Sequence, residues 1–198
     1  NAVTINDTSI FAATVNGLLY APKNSTALAA SQTWKKVPNI ANQGKDNLEI
    51  TNLLSLGNGK ILITLPIAQT TFCDAFTFDG EEWNKIFENE YIKSLRLSEG
   101  KLIKIAYRSL NIYDVNNLVN GGEIYHLSDE WNPVHGIHLD INDAIIDSQD
   151  LWLAHQTKGL IRLKDYRNGT HNKSEHFPDG PKSNHIYSIT ASEDGKIY

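Results

Sequence analysis

The apolar positions fall in short runs, several with strict alternation, and each run is bounded by Gly, Asn, Asp or Pro. This is the pattern of strands and tight turns, and no stretch carries a convincing helical period. Five apolar strands follow turns and begin at Ile10, Ile61, Leu102, Leu151 and Ile197. Three of those turns read alike: Asn58-Gly59-Lys60, Glu99-Gly100-Lys101 and Asp194-Gly195-Lys196. A second marker keeps step with the first: Trp34, Trp83 and Trp131, with Phe177 where a fourth would fall. A shared spacing of roughly 40 to 50 residues, built of strands, is the signature of propeller blades.

The pattern therefore predicts an all-β fold, a β-propeller of about four four-stranded blades plus the start of a fifth. The blades fall at roughly 1–40, 48–90, 91–138, 141–180 and 184–198, all within one domain. Blade one is cut into 2–5, 9–14, 17–21 and 33–37, and blade two into 50–56, 60–65, 75–78 and 82–86. Blade three opens with 92–97 and 101–106; its outer half reads as a hairpin of 111–115 and 123–127 around Asn120-Gly121-Gly122. Blade four takes 144–147, 151–155, 159–163 and 174–177, and a fifth opens at 185–191. The central strands, such as Leu151-Trp152-Leu153-Ala154, are apolar on both faces because a blade packs against a neighbour on each side. Trp34, Trp83, Trp131 and Trp152 are expected to anchor blade to blade. Rings of this kind close with four to eight blades. The expectation is a piece of a larger ring of six to eight blades, whose remaining blades lie in the parent chain.

Composition narrows the function. Eighteen Lys and Arg against 23 Asp and Glu give a net charge of -5, which argues against a general nucleic-acid binder. Cys73 is the one cysteine, so no intrachain disulfide forms, and its expected place is a buried apolar one. No apolar run is long enough for a membrane helix. No methionine is present, and no signal peptide is recognised.

Candidate chemistry is sparse. His126, His135 and His138 lie in or near loops with no completing Cys or acidic set, so no metal or other cofactor is expected. Asp140, Asp143, Asp147 and Asp150 are scattered over a strand and its turns rather than gathered on one face. No nucleophile elbow, phosphate loop or dinucleotide fingerprint occurs, and the chain is expected not to be an enzyme. Glycosylation triplets begin at Asn6, Asn24, Asn168 and Asn172. The connections between second and third strands hold Tyr107, Arg108, His155 and Lys158. They are the expected ligand-binding set, with cations for phosphate or carboxylate and an aromatic face for a sugar.

Leu151–Ala154 through Gly159–Leu163, then Phe177-Pro178-Asp179-Gly180-Pro181 and the run from Asn184 to Tyr198, resemble the two-component regulator propeller repeats of Bacteroidetes. Phe11 to Tyr20 followed by Trp34 is similar to an early blade of the same repeats. The tryptophan-glycine-threonine form of sensor propellers is missing from blades one to three, so the chain resembles more narrowly the PorZ-like surface components of type IX secretion. That resemblance implies a non-catalytic scaffold associated with the outer membrane at the cell surface. Its implied partners are a PorU-type sortase, PorV and PorQ, and its implied ligand is anionic lipopolysaccharide. The alternative is the periplasmic, glycan-sensing propeller of a hybrid two-component regulator. A propeller lyase or hydrolase would instead need His, Tyr, Arg or carboxylates clustered at the ring axis.

Overall fold

The computed structural model describes residues 2–44, 48–106, 109–118, 123–126, 141–156, 159–168, 174–177, 186–190, 192 and 196–197. Among the described residues are sixteen strands in four sheets, and helix occurs there only as three-residue 3-10 turns such as Ser31–Thr33 and Tyr166–Asn168. The first sheet holds β1 (Ala2–Ile5), β2 (Ser9–Thr14), β3 (Gly17–Pro22) and β4 (Lys35–Lys36). The second holds β5 (Asn52–Gly57), β6 (Lys60–Pro66), β7 (Cys73–Phe78) and β8 (Trp83–Glu90). The third holds β9 (Ser94–Ser98), β10 (Lys101–Ile105), β11 (Ser109–Asp114) and β12 (Glu123–His126). The fourth holds β13 (Ile141–Asp147), β14 (Asp150–His155), β15 (Gly159–Leu163) and β16 (Ser174–Phe177). In every sheet each strand pairs antiparallel with the next in sequence, which is the blade unit of a β-propeller.

The repeated turns do what their residues dictate. Asn58-Gly59 and Glu99-Gly100 have φ of 50° and 74°, and of 47° and 69°. Two successive left-handed residues make the tight hairpin whose twist matches the strands it joins, and glycine takes the second position at no steric cost. The β11–β12 hairpin predicted for blade three is present, with Leu110 opposite Tyr125.

Two elements differ from expectation. The fourth strand of the first sheet is two residues long, because the Thr33 and Trp34 N–H groups turn back to the Ala30 and Ser31 carbonyls. Residues 186–190, expected to open a fifth blade as a strand, form none. The Ile186 N–H goes to the His155 carbonyl and the Ile189 N–H to the Asp143 carboxylate, so neither joins a ladder. Ile189 still packs on the fourth sheet, with Ile145 and Ala154.

The chain divides into two compact units, Asn1–Tyr91 and Ile92–Tyr198, each holding two sheets. In the first unit the core joins Phe11, Leu18 and Val37 to Ile61, Ile63, Phe76 and Trp83. In the second it joins Ile103, Ile105, Leu110 and Ile112 to Ile141, Ala144, Ile146, Leu151 and Leu153. Leu18, Ile61, Ile63, Ile103, Leu151 and Leu153 are fully enclosed. Burying a side chain of that size stabilises by about 1.5–3 kcal/mol.

Candidate functional site

Within each unit the two sheets are latched at the ends of their first strands. In the first unit the Asn6 side chain folds the β1–β2 turn, accepting the Thr8 and Ser9 N–H groups at 3.0 and 2.8 Å. Its amide donates to the Gly59 carbonyl at 2.7 Å, while the Gly59 N–H donates to the Asp7 carboxylate at 2.9 Å. In the second unit the Ser148 N–H donates to the Glu99 carboxylate at 2.7 Å. There the Ser98 hydroxyl donates to the Ile146 carbonyl at 3.0 Å and accepts the Ile146 N–H at 2.9 Å. The asparagine of the first glycosylation triplet is thus buried and bonded, whereas Asn24 is exposed.

Behind the first latch the sheets do not close. A cavity of about 420 Å³ opens there, with Tyr20 and Phe78 among its walls and Thr8, Ser9 and Asp79 at its polar edge. Each wall ring is half-buried and backed by another ring. Tyr20 stacks on its cross-strand partner Phe11 at 6.2 Å, and Phe78 on its partner Trp83 at 4.6 Å. Such cross-strand aromatic pairs hold the walls in place. Asp79 Oδ1 accepts the Glu81 and Glu82 N–H groups at 3.0 and 2.8 Å. The Glu82 N–H first, then that of Glu81, holds the Asp79 carboxyl below its ordinary value, with a further contribution from the charge of Lys60. The second carboxylate oxygen and the Tyr20 hydroxyl make no hydrogen bond among the described residues.

The first strands of the second unit carry a polar network. Asp143 is 4% exposed. Its Oδ2 accepts from Arg96 at 2.9 Å, from the Ser188 hydroxyl at 2.9 Å and from the Ile189 N–H at 3.1 Å. A register shift between Ile141 and Asp143 turns the carboxylate to this role, and Oδ1 caps the Ala144 N–H. Asp150 pairs with Arg162, whose guanidinium lies 5.2 Å from the Trp152 ring centre. Burial pushes Asp150 up, but the Asp165 N–H and Arg162 outweigh it and its pKa is lowered. Asp143 and Asp150 thus serve separate contacts, as their scattering implied. Asp147 is half-buried, and Asp140 lies outside the described residues.

Of the four expected ligand-binding residues, Tyr107, Arg108 and Lys158 lie outside the described residues. His155 ends β14 and is 1% exposed. The latch between Glu99 and Ser148 sits at one end of the second unit, so Ile105 and His155, which end β10 and β14, share the opposite end. Among the aromatic markers, Trp83 lies in the first unit's core and Trp34 is half-buried with its ring N–H on the Leu28 carbonyl at 2.9 Å. Trp152 packs beside Ile145, Ala154 and Ile189, and Trp131 lies outside the described residues. Cys73 is buried, its thiol 3.6 Å from the Glu90 carbonyl. Among the described residues no three His, Cys, Asp or Glu gather as a metal site, and no helix is long and apolar enough to cross a membrane. His135 and His138 are outside the described residues, as is the His126 side chain.

The sequence reading passed over Tyr20, Phe78 and Asp79. The one signal for them was an aromatic directly before the Asp79-Gly80 turn, in phase with Trp83.

No protein-family model matches the chain, and no curated protein matches it. Solved structures do. The extracellular domain of a putative one-component system from B. thetaiotaomicron superposes with a TM-score of 0.60 at 14% identity, over 98% of this chain and 25% of that one. PorZ, a surface component of the type-IX secretion system of Porphyromonas gingivalis, gives 0.57 at 13% identity, over 97% of this chain and 36% of that one. A chain of the nidogen/laminin complex gives 0.53 at 11% identity, over 91% and 63%. At these identities the likeness is one of fold. The chain spans about a quarter to a third of the two bacterial proteins it matches.

Proposed function

We propose that this chain is part of a non-catalytic propeller module that works by binding at the bacterial cell surface, as a PorZ-like scaffold. What carries the reading is its fold, four meander sheets that align over 97% of their chain with PorZ. In this reading the module is associated with the outer membrane and assists a PorU-type sortase together with PorV and PorQ. Its ligand is anionic lipopolysaccharide, bound by Tyr107, Arg108, His155 and Lys158, which follow or end β10 and β14 in the sequence. Guanidinium and ammonium groups there offset the net negative charge of the chain and pair with phosphate or carboxylate. Binding of anionic lipopolysaccharide to the immobilised protein is expected to weaken about tenfold in Arg108→Ala/Lys158→Ala and to fall steeply with salt. Unchanged binding in that variant, or no binding by the parent protein, would sink the proposal.

A second reading has its own support. Extracellular domains of putative one-component and hybrid two-component systems superpose as well as PorZ does. There the chain is part of a periplasmic propeller that senses a glycan. The parent gene separates the two: a membrane helix followed by a regulator domain belongs to a sensor, and a second propeller with a secretion tail to a PorZ-like scaffold.

A further inference from the structure

We infer that the crevice between the two sheets of the first unit binds one ring of an uncharged, hydroxyl-rich sugar. The site is separate from the strand ends of the second unit and goes beyond the lipopolysaccharide reading. Its volume of about 420 Å³ lies in the range of small-ligand pockets. The walls are Tyr20 from the first sheet and Phe78 from the second, both half-buried and held by the stacked rings of Phe11 and Trp83. Aromatic faces of this kind suit the C–H face of a pyranose.

The polar edge decides the class. Thr8 and Ser9 offer hydroxyls, Tyr20 a hydroxyl without a hydrogen-bond partner among the described residues, and Asp79 a carboxylate oxygen that no donor occupies. A purely apolar guest would strip water from these groups and return no hydrogen bond, which is costly. An anionic guest would meet the ionised Asp79. A neutral ring with several hydroxyls satisfies both walls and edge. The latch steadies one side of the crevice, since Asn6 holds the Gly59 carbonyl and Asp7 the Gly59 N–H.

The test is saturation-transfer NMR on the whole 198-residue chain. The probes are D-glucose, D-galactose, D-mannose and N-acetylglucosamine, with D-galacturonate as the anionic counterpart of galactose and lactose as a chain-end mimic. At least one neutral sugar is expected to receive transfer, and D-galacturonate to bind more weakly than D-galactose. Asp79→Asn keeps the turn acceptor and is expected to weaken binding about tenfold with a slightly lowered melting temperature, and Tyr20→Phe about threefold with an unchanged one. Lactose above galactose marks the end of a glycan as the source, and the reverse a free sugar. No transfer to any neutral probe, transfer indifferent to both substitutions, or galacturonate bound as tightly as galactose overturns the inference. Arg108→Ala/Lys158→Ala is expected to leave the neutral-sugar signal intact, so this site and the lipopolysaccharide site fail independently.

Discussion

The two units solve one packing problem in two ways. Each brings two four-stranded sheets together and latches their first turns through an acid, Asp7 on Gly59 in one and Glu99 on Ser148 in the other. In the second unit, packing continues into a buried carboxylate, Asp143, with donors from β9, from its own strand and from residues 188–189. Among the described residues of the first unit no charged side chain is buried. An apolar cluster that includes Leu18, Val37, Ile61, Ile63, Phe76 and Trp83 carries the contact, and an aromatic pair within each sheet borders a crevice near the latch. A buried carboxylate demands full satisfaction and so draws the surrounding chain around it. The rings of Tyr20 and Phe78 need no such donors and border the crevice beside Thr8, Ser9 and Asp79.

The largest expected effect tests the first unit's apolar cluster. Trp83→Ala removes a 7% exposed ring from the first unit's core and should cost about 4 kcal/mol in urea unfolding. A loss below about 1 kcal/mol would mean that Trp83 does not carry that contact. Asp143→Ala should cost about 3 kcal/mol, because it strands Arg96, Ser188 and the Ile189 N–H. A double-mutant cycle with Arg96→Ala should show coupling of about 1–2 kcal/mol; additive losses would remove the ion pair from the account. Smaller still, Asp7→Ala and Glu99→Ala should each cost at most about 1 kcal/mol, and by similar amounts, since both remove one charge-assisted bond at the surface. Strongly unequal losses would break the equivalence of the two latches.

The smallest effect is common to both units. Asp74 and Asp79 in the first, and Asp114 and Asp150 in the second, have carboxyl pKa values below the ordinary 3.8. For Asp74, burial opposes the shift, and the Asn89 N–H and Lys85 overcome it. For Asp114 the Asn116 N–H leads, followed by Lys101. A carboxyl held lower in the folded chain stabilises it fully above 3.8, and that contribution is lost as pH falls through the folded value. Urea midpoints should therefore be flat with respect to these groups near neutrality and decline below about pH 4 in both units. A decline already complete by pH 5 would assign the transition to other groups.

The repeat was legible because a blade's inner strands must be apolar on both faces and its hairpins need left-handed residues, and both leave marks on single residues. Gly59 and Gly100 are such marks. Strand ends were less legible where side chains or turns compete for backbone donors: the Ala30 and Ser31 carbonyls shorten β4, and Asp143 takes the Ile189 N–H. Asp143 itself read as one of four scattered acids, because its partners Arg96 and Ser188 lie far along the chain. The crevice was illegible for the same reason. Tyr20 and Phe78 look like ordinary strand aromatics until two separate hairpins are folded together. Asp7 and Glu99 do stand at equivalent turns two repeats apart, but nothing local says that they accept a neighbour's N–H.

The central claim is that the crevice of the first unit is open to a ligand. Amide chemical-shift mapping of the whole chain, during titration with the neutral sugar that receives the strongest saturation transfer, tests it most directly. The account predicts saturable shifts confined to Thr8, Ser9, Gly59, Asp79 and Gly80, with Arg96, Asp143, Ala144 and Ile189 unmoved. Shifts centred on the Asp143 network, or none around the crevice, would contradict it.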